Sequence, residues 1–279
     1  MFSKKITFFV FTHNEENRLE DMLKSLKPHA NIVVVDNHST DNTVDIANSY
    51  TDRVYKRKNI GYVENEKTMK FVMDILETEW AYLCYVDEYI PADLMSILKS
   101  TAENNAFDAV EIYRKNFMYG REVFNYGKHH LRMFRKGSVD FTGNIVHRLG
   151  VYSVDSSRVL KVPVKKLTSI WHMSAYNTDC LEKSHNRYAN LEAIQRNKKL
   201  GQKFSGLRAI WKLVFFFFGT YIGLGGFRGG WPGFFISVQI AYFKFSIEAR
   251  LWEKDNNVDL DSIANEHEIL RNYLYSEND

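Results

Sequence analysis

Residues able to do chemistry gather where apolar runs end. The segment YLCYVDEYIP, Tyr82 to Pro91, closes a run that reads as a buried strand with two adjacent carboxylates, Asp87 and Glu88. A proline that opens a helix follows. Charge at the end of a buried strand is costly unless something pairs with it. Three other apolar runs end in polar groups: Ile6 to Phe11 in Thr12, His13, Asn14 and Glu15; NIVVVD in Asp36, Asn37 and His38, with Asp41 close behind; and RVYKR in a loop holding Asn59 and Gly61. A single strand-end acid usually serves as a helix cap or turn residue. Several on one rim are harder to dismiss, because open α/β sheets bind ligands outside the carboxyl ends of their strands.

The elements that would position these groups alternate in period. ITFFVF and NIVVVD are continuous apolar runs, as in strands buried on both faces. Between them Leu19, Met22, Leu23 and Leu26 fall at helical spacing, with acids in the first turn and Pro28 as a stop. STDNTVDIANSY reads as a helix capped by Ser39 or Thr40. Met69, Val72, Met73 and Leu76 repeat the helical spacing, WAYLCYV is the next strand and PADLMSILKSTAEN the next helix. Strands separated by helix-length segments predict right-handed βαβ units and a parallel sheet. From about Phe107 the pattern turns to short aromatic strand-like runs, as in an antiparallel extension of that sheet. A polar, basic helix then begins near Asn177.

Composition sets outer bounds. With 279 residues, 45% of them hydrophobic, the chain can build one large or two small domains. A net charge of +3 gives no argument for nucleic acid. Cys84 and Cys180 stand far apart, without metal-type spacing, and read as reduced thiols of a cytoplasmic protein. No signal peptide is legible at the start, and no uncharged run reaches the ~18 residues that a spanning helix needs.

ITFFVFTHNEENRLEDMLKSL, IVVVDNHSTDNTVDIA and WAYLCYVDEYIPADL resemble three sequential blocks of the family-2 glycosyltransferases, enzymes of GT-A fold. HHLRMFRKG, NIVHRLG and SIWHMSAYNTDCLEKSHNRYANLEA resemble the subgroup that includes the lipopolysaccharide-core β-1,4-glucosyltransferases. The likeness runs from about residue 4 to about residue 250. It implies a mostly parallel, mixed sheet flanked by helices. It also places Thr12, Asn14, Glu15, Asp36 and Asn59 around the nucleotide, Asp36 as acceptor from base or ribose, and Lys67 near the diphosphate. Asp87 becomes the ligand of a Mg²⁺ or Mn²⁺ ion bound to diphosphate oxygens, cations that favour oxygen donors. His172 matches a late histidine that can ligate the same metal, with a purely structural histidine as the plain alternative.

The chain departs from the family pattern twice. Where relatives commonly read Asp-Ala-Asp-Glu, it has Tyr85, Val86, Asp87 and Glu88, so a tyrosine stands in the nucleotide-facing acid's place. Where relatives often carry His-Glu, it has His147 and Arg148. An inverting transfer needs a base for the attacking hydroxyl; the candidates are Glu88, Asp140 and Glu111. Glu88 reads equally as a helix cap and Asp140 as a turn residue. Arg132, Arg135 and His147 are candidate acceptor or phosphate contacts, with a solvated edge strand as the plain alternative for the arginines.

The reading divides the chain into a nucleotide-sugar-binding half (1–106), an acceptor-binding half of the same domain (107–205) and a C-terminal aromatic and basic segment (206–279). Residues 207–253 mix aromatics with Lys and Arg around a glycine-rich turn. They suit a buried helix pair or a helix lying in a membrane interface. The expected activity is inverting, metal-dependent transfer of a hexose-type sugar from a nucleotide donor, UDP-linked, to a lipid-anchored or cell-surface glycan. The expected location is the cytoplasmic face of the inner membrane. The rivals are a catalytically impaired binding module and a nucleotidyltransferase. Against the latter, the loop THNEEN is acidic and lacks the glycines that cradle a triphosphate.

Overall fold

The computed structural model describes residues 5–28, 31–59, 64–123, 127–143 and 149–276. In chain order the first part runs β1 (Ile6–Thr12), α1 (Leu19–Leu26), β2 (Asn31–Asp36), α2 (Thr43–Asn48), β3 (Val54–Lys56), α3 (Glu66–Asp74), β4 (Trp80–Tyr85), β5 (Glu88–Tyr89) and α4 (Ala92–Glu103). The second part continues β6 (Ala109–Met118), β7 (Arg121–Glu122), β8 (Lys128–Arg135), β9 (Val139–Asp140), β10 (Val151–Tyr152), β11 (Val159–Lys161) and β12 (Ile170–Ala175). Helices α5 (Thr178–Leu200), α6 (Gly206–Phe218), α7 (Gly230–Asp255) and α8 (Leu260–Ser276) follow.

One mixed sheet takes the strand order β3-β2-β1-β4-β8-β6-β12-β5. β3, β2, β1 and β4 are parallel; β8 is antiparallel to both neighbours, and β12 returns parallel to β6. The chain moves from β1 to β2 on one side and to β4 on the other, so the topological switch lies at β1 and β4. Burial explains the continuous apolar runs: Phe8, Phe9, Val10, Tyr82, Leu83 and Cys84 are all fully covered. Each large side chain buried this way contributes about 1.5–3 kcal/mol. All four expected positions of α1 are buried, as are Met69 and Val72 of α3.

Local readings shift in one helix. α2 starts at Thr43 rather than at Ser39 or Thr40. Its opening backbone N–H groups are met by Asp41 Oδ1, which accepts from Thr43 N, and by Glu16 Oε2, which accepts from Asn42 N. Ser39 is committed elsewhere, as described below.

The chain forms two compact units, Met1–Leu181 and Glu182–Asp279. The expected division at 205/206 therefore moves to the first turn of α5, and no break falls at 106/107, where β6 enters the middle of the same sheet. In the second unit α6 runs into a π-helical turn, Gly219–Gly223, and a 3₁₀ turn, Gly226–Gly229, before α7. The arms Gly206–Gly223 and Gly226–Asp255 are bent by 65°. Gly225 adopts φ 77° at the break, and a Cβ on Gly233 would collide with the Gly226 carbonyl oxygen. Glu248, fully buried on α7, accepts from Arg208 Nε at 2.9 Å and from Lys212 Nζ at 2.6 Å, both on α6.

Burial raises the Glu248 carboxyl, but hydrogen bonds and charge from Arg208 and Lys212 win, and its pKa lies below the ordinary 4.5. A depressed carboxylate stabilises the fold above its unfolded pKa and loses that contribution as pH falls through the folded value. The melting temperature of Glu248→Gln should therefore fall well below that of the parent chain at pH 7, with the gap closing in acid. A gap independent of pH would mean that packing, not charge, is what the substitution removes.

Candidate active site

Asp87 follows β4 at the switch point. Its backbone oxygen accepts from Met173 N at 2.8 Å, so β12 is laced to it. Its Oδ2 stands 3.2 Å from His172 Nε2. The other imidazole nitrogen, Nδ1, lies 2.8 Å from Asn116 Oδ1 on β6. With that amide oxygen as acceptor, Nδ1 carries a proton. Nε2 then faces the carboxylate either as the second N–H of an imidazolium or as a lone pair directed at a shared cation. Burial alone would raise the Asp87 carboxyl; His172, Arg18 and Arg114 reverse the direction and hold it well below the usual range. It is an anion at any physiological pH.

A divalent cation fits this pair. Two donors each about 2.1 Å from one octahedral ion stand about 3 Å apart at right angles, close to the 3.2 Å observed. The Asp87 carboxylate and the His172 Nε2 lone pair, oriented by the Nδ1–H bond to Asn116, are the two donors such an ion could take, with phosphate oxygens completing its shell. Among the described residues, no group of three or more His, Cys, Asp or Glu side chains converges to form a protein-only cage.

The donor-side loops are laced to each other. Asn14 adopts a left-handed backbone, φ 54°, donates its N–H to Ser39 Oγ and accepts from Thr40 N through Oδ1. Glu15 donates its N–H to Thr43 Oγ1, and its carboxylate is gripped in bidentate fashion by Arg18, Nε and Nη2 both at 2.7 Å. Arg18 also lies over the Tyr176 ring at 5.5 Å. Burial raises the Glu15 carboxyl against the opposing pull of Arg18. Asn37 pairs its side chain with the backbone of Asn59 in both directions, at 2.7 and 3.0 Å. Lys67 is exposed in the first turn of α3. Tyr85 stacks on Phe11 at 5.9 Å, with Arg132 4.7 Å from its centroid.

Several expectations change. Asp36 is 0% exposed, and its oxygens accept from Thr12 Oγ1, Ser39 N and Ser39 Oγ. It braces the loop, and Thr12, 5% exposed, is its partner in that brace. Glu88 is not the helix cap: it lies in β5, 2% exposed, with Oε1 2.5 Å from Arg132 Nη2 and 3.7 Å from Arg114 Nη1. Arg132 is thereby paired with a buried carboxylate, and β8 is an interior strand, not a solvated edge. Arg135 pairs with Trp80, at the start of β4, and binds Glu79 and Asp108. That is the opposite end of the strand from Asp87. Glu111 lies opposite Leu131 and accepts from the Tyr152 phenol at 2.6 Å. Asp140 is exposed at the end of β9, opposite Val151, and its Oδ1 accepts from Thr142 N. Gly61, His147 and Arg148 lie outside the described residues.

Sequence reasoning missed Asn116, Arg18, Arg114 and Glu64. Asn116 sits in an aromatic strand that offered no motif. Glu64 is raised by burial and lies in the field of Arg132, Glu88 and Arg114. Burial and then the positive charges of Arg114, Arg132 and Lys128 push His130 down to about 2.

A sheet with this order and an acidic strand end at its switch point is the GT-A class of fold. The family model "Glycosyl transferase family 2" matches residues 7–143. An uncharacterised glycosyltransferase of Rickettsia typhi is 27% identical over 269 residues, covering 91% of this chain and 90% of that protein. The lipopolysaccharide core biosynthesis glycosyltransferase LpsC of Rhizobium meliloti is 24% identical over 263 residues, covering 89% and 92%. A mannosyltransferase of Pyrobaculum calidifontis, solved with GDP-Man and Mn²⁺, superposes with a TM-score of 0.51 at 13% identity over 90% of this chain and 88% of its own. That last likeness is one of fold.

Glu88→Ala should lower stability by ~3–5 kcal/mol, the cost of stranding buried arginine charge. Glu88→Met with Arg132→Met should recover much of it. Denaturant unfolding of the full chain measures both. An Ala variant as stable as the parent but inert toward donor would favour the base assignment.

Proposed function

We propose that the chain transfers a hexose-type sugar, with inversion, from a UDP-linked donor to a lipid-anchored or cell-surface glycan, using Mg²⁺ or Mn²⁺. The observation that carries this reading is the Asp87–His172–Asn116 line at the switch point, where a sheet of this class binds its ligand. Asp87 and His172 would hold the cation; when bound, it offsets the charge that gathers on the leaving diphosphate. Asp87 stays ionised, Asn116 fixes the ring of His172, and Arg18 supplies a second positive charge near the carboxylate. Asn14, Glu15 and Asn59 form a braced wall for the nucleotide, with Lys67 beside it. A cytosolic donor and a lipid-borne acceptor set the reaction at the cytoplasmic face of the inner membrane.

A second reading, donor binding without turnover, is favoured by one observation. Tyr85 replaces an acid, and the three carboxylates proposed as base are each engaged by a partner. Turnover of a UDP-sugar panel by the full chain separates the two readings.

Calorimetry with UDP should show binding that depends on Mn²⁺. Asp87→Asn should abolish that dependence with the melting temperature retained, and Asn116→Ala should weaken it ~10–100-fold, as loss of an outer-shell partner does. Equal affinity for Asp87→Asn and the parent chain would end the ligand assignment.

A further inference from the structure

Residues 193–247 contain no Asp or Glu, eight Lys or Arg and fourteen aromatic residues. The structure sorts them. Leu207, Ile210, Trp211, Val214, Phe215 and Phe218 fall at helical spacing on one stripe of α6. They are exposed, Leu207 by 85% and Trp211 by 55%. Trp211 stacks on Phe215 at 4.5 Å, and the stripe lines a shallow apolar cavity of about 370 Å³. On α7, Trp231 (72% exposed) stacks on Phe235. Charge is kept off these faces: Arg208 and Lys212 turn inward to Glu248. Lys198, Lys203 and Arg228 remain exposed, before α6 and at the bend.

An apolar surface this continuous is uncommon on a free protein and calls for an occupant. Charge chooses it. A second copy would bring two acid-free, cationic borders together, whereas an anionic bilayer complements both the aromatic stripe and its basic border. No single helix among the described residues is long and apolar enough to cross a membrane, but the bent pair has the length and composition of a broken span or a re-entrant loop. We propose that the α6–α7 hairpin seats in the interface of an anionic lipid bilayer. Its Trp211–Phe215–Phe218 stripe and Trp231–Phe235 pair lie among acyl chains, and Lys198, Lys203 and Arg228 meet the lipid phosphates. Trp and Phe anchor at that depth because the rings are apolar while the indole N–H stays near the headgroups.

The full chain is tested by flotation with phosphatidylcholine vesicles, with and without phosphatidylglycerol, in the absence of donor. The readout is therefore independent of transferase activity. The parent chain should float with the anionic vesicles, less so at high salt, and brominated acyl chains should quench its tryptophan fluorescence. Trp211→Glu with Phe215→Glu, both at exposed positions, should cut vesicle partitioning at least ~10-fold without lowering the melting temperature. Lys203→Glu with Arg228→Glu should weaken binding to the anionic vesicles selectively. A parent chain that stays unbound, or a Glu double variant that floats like the parent, overturns the proposal. So does light scattering that shows a dimer in the parent and a monomer in the Trp211/Phe215 variant, which would assign the face to a second copy.

Discussion

A negative charge must be kept ionised at the end of a strand that is buried on both faces, and the first unit is arranged around that demand. Asp87 meets it with the imidazole of His172 at 3.2 Å and with the positive fields of Arg18 and Arg114. Asp87 lies in the turn between β4 and β5, and Glu88 is the first residue of β5. Two neighbouring carboxylates therefore receive opposite environments: one on the rim, the other driven inward against Arg132. The second acid is neutralised by the sheet itself, through Arg132 and Arg114.

Around that point the polar loops act as joinery. Asp36 spends its oxygens on Thr12 and Ser39, Asn14 on Thr40, and Glu16 on Asn42. Asn14 and His38, both non-glycine residues, hold left-handed backbones, φ 54° and 58°. Such conformations cost of order 1–3 kcal/mol and persist when surrounding bonds over-determine them. Here the bonds are present on both sides of the β1 and β2 ends, so the rim is shaped before any ligand arrives.

Much of this was legible and some of it was not, for physical reasons. Continuous apolar runs reported two-sided burial directly, so β1, β2 and β4 and the helices between them could be read from period alone. The end of β4 announced its acid because charge is rare there. Partnership was not legible. Nothing in LRMFRK says that Arg132 turns into the sheet while Arg135 leaves it at the far end; that depends on the antiparallel register of β8 against β4. Asp36 looked available because a strand-end acid carries the same letter whether it faces solvent or a serine. Asn116 was invisible because its role exists only once β6 and β12 lie side by side.

Register between β12 and the rest of the sheet has a last consequence. His172 and Met173 are consecutive, and they engage the carboxylate and the carbonyl of the same aspartate. The segment that carries the family signature stops at residue 143, before β12 begins at Ile170. During synthesis, then, the signature can emerge and its strands pair while the acid at their centre still lacks its imidazole. The stretch that the family model matches and the stretch that partners Asp87 are different pieces of polypeptide, joined by two adjacent contacts.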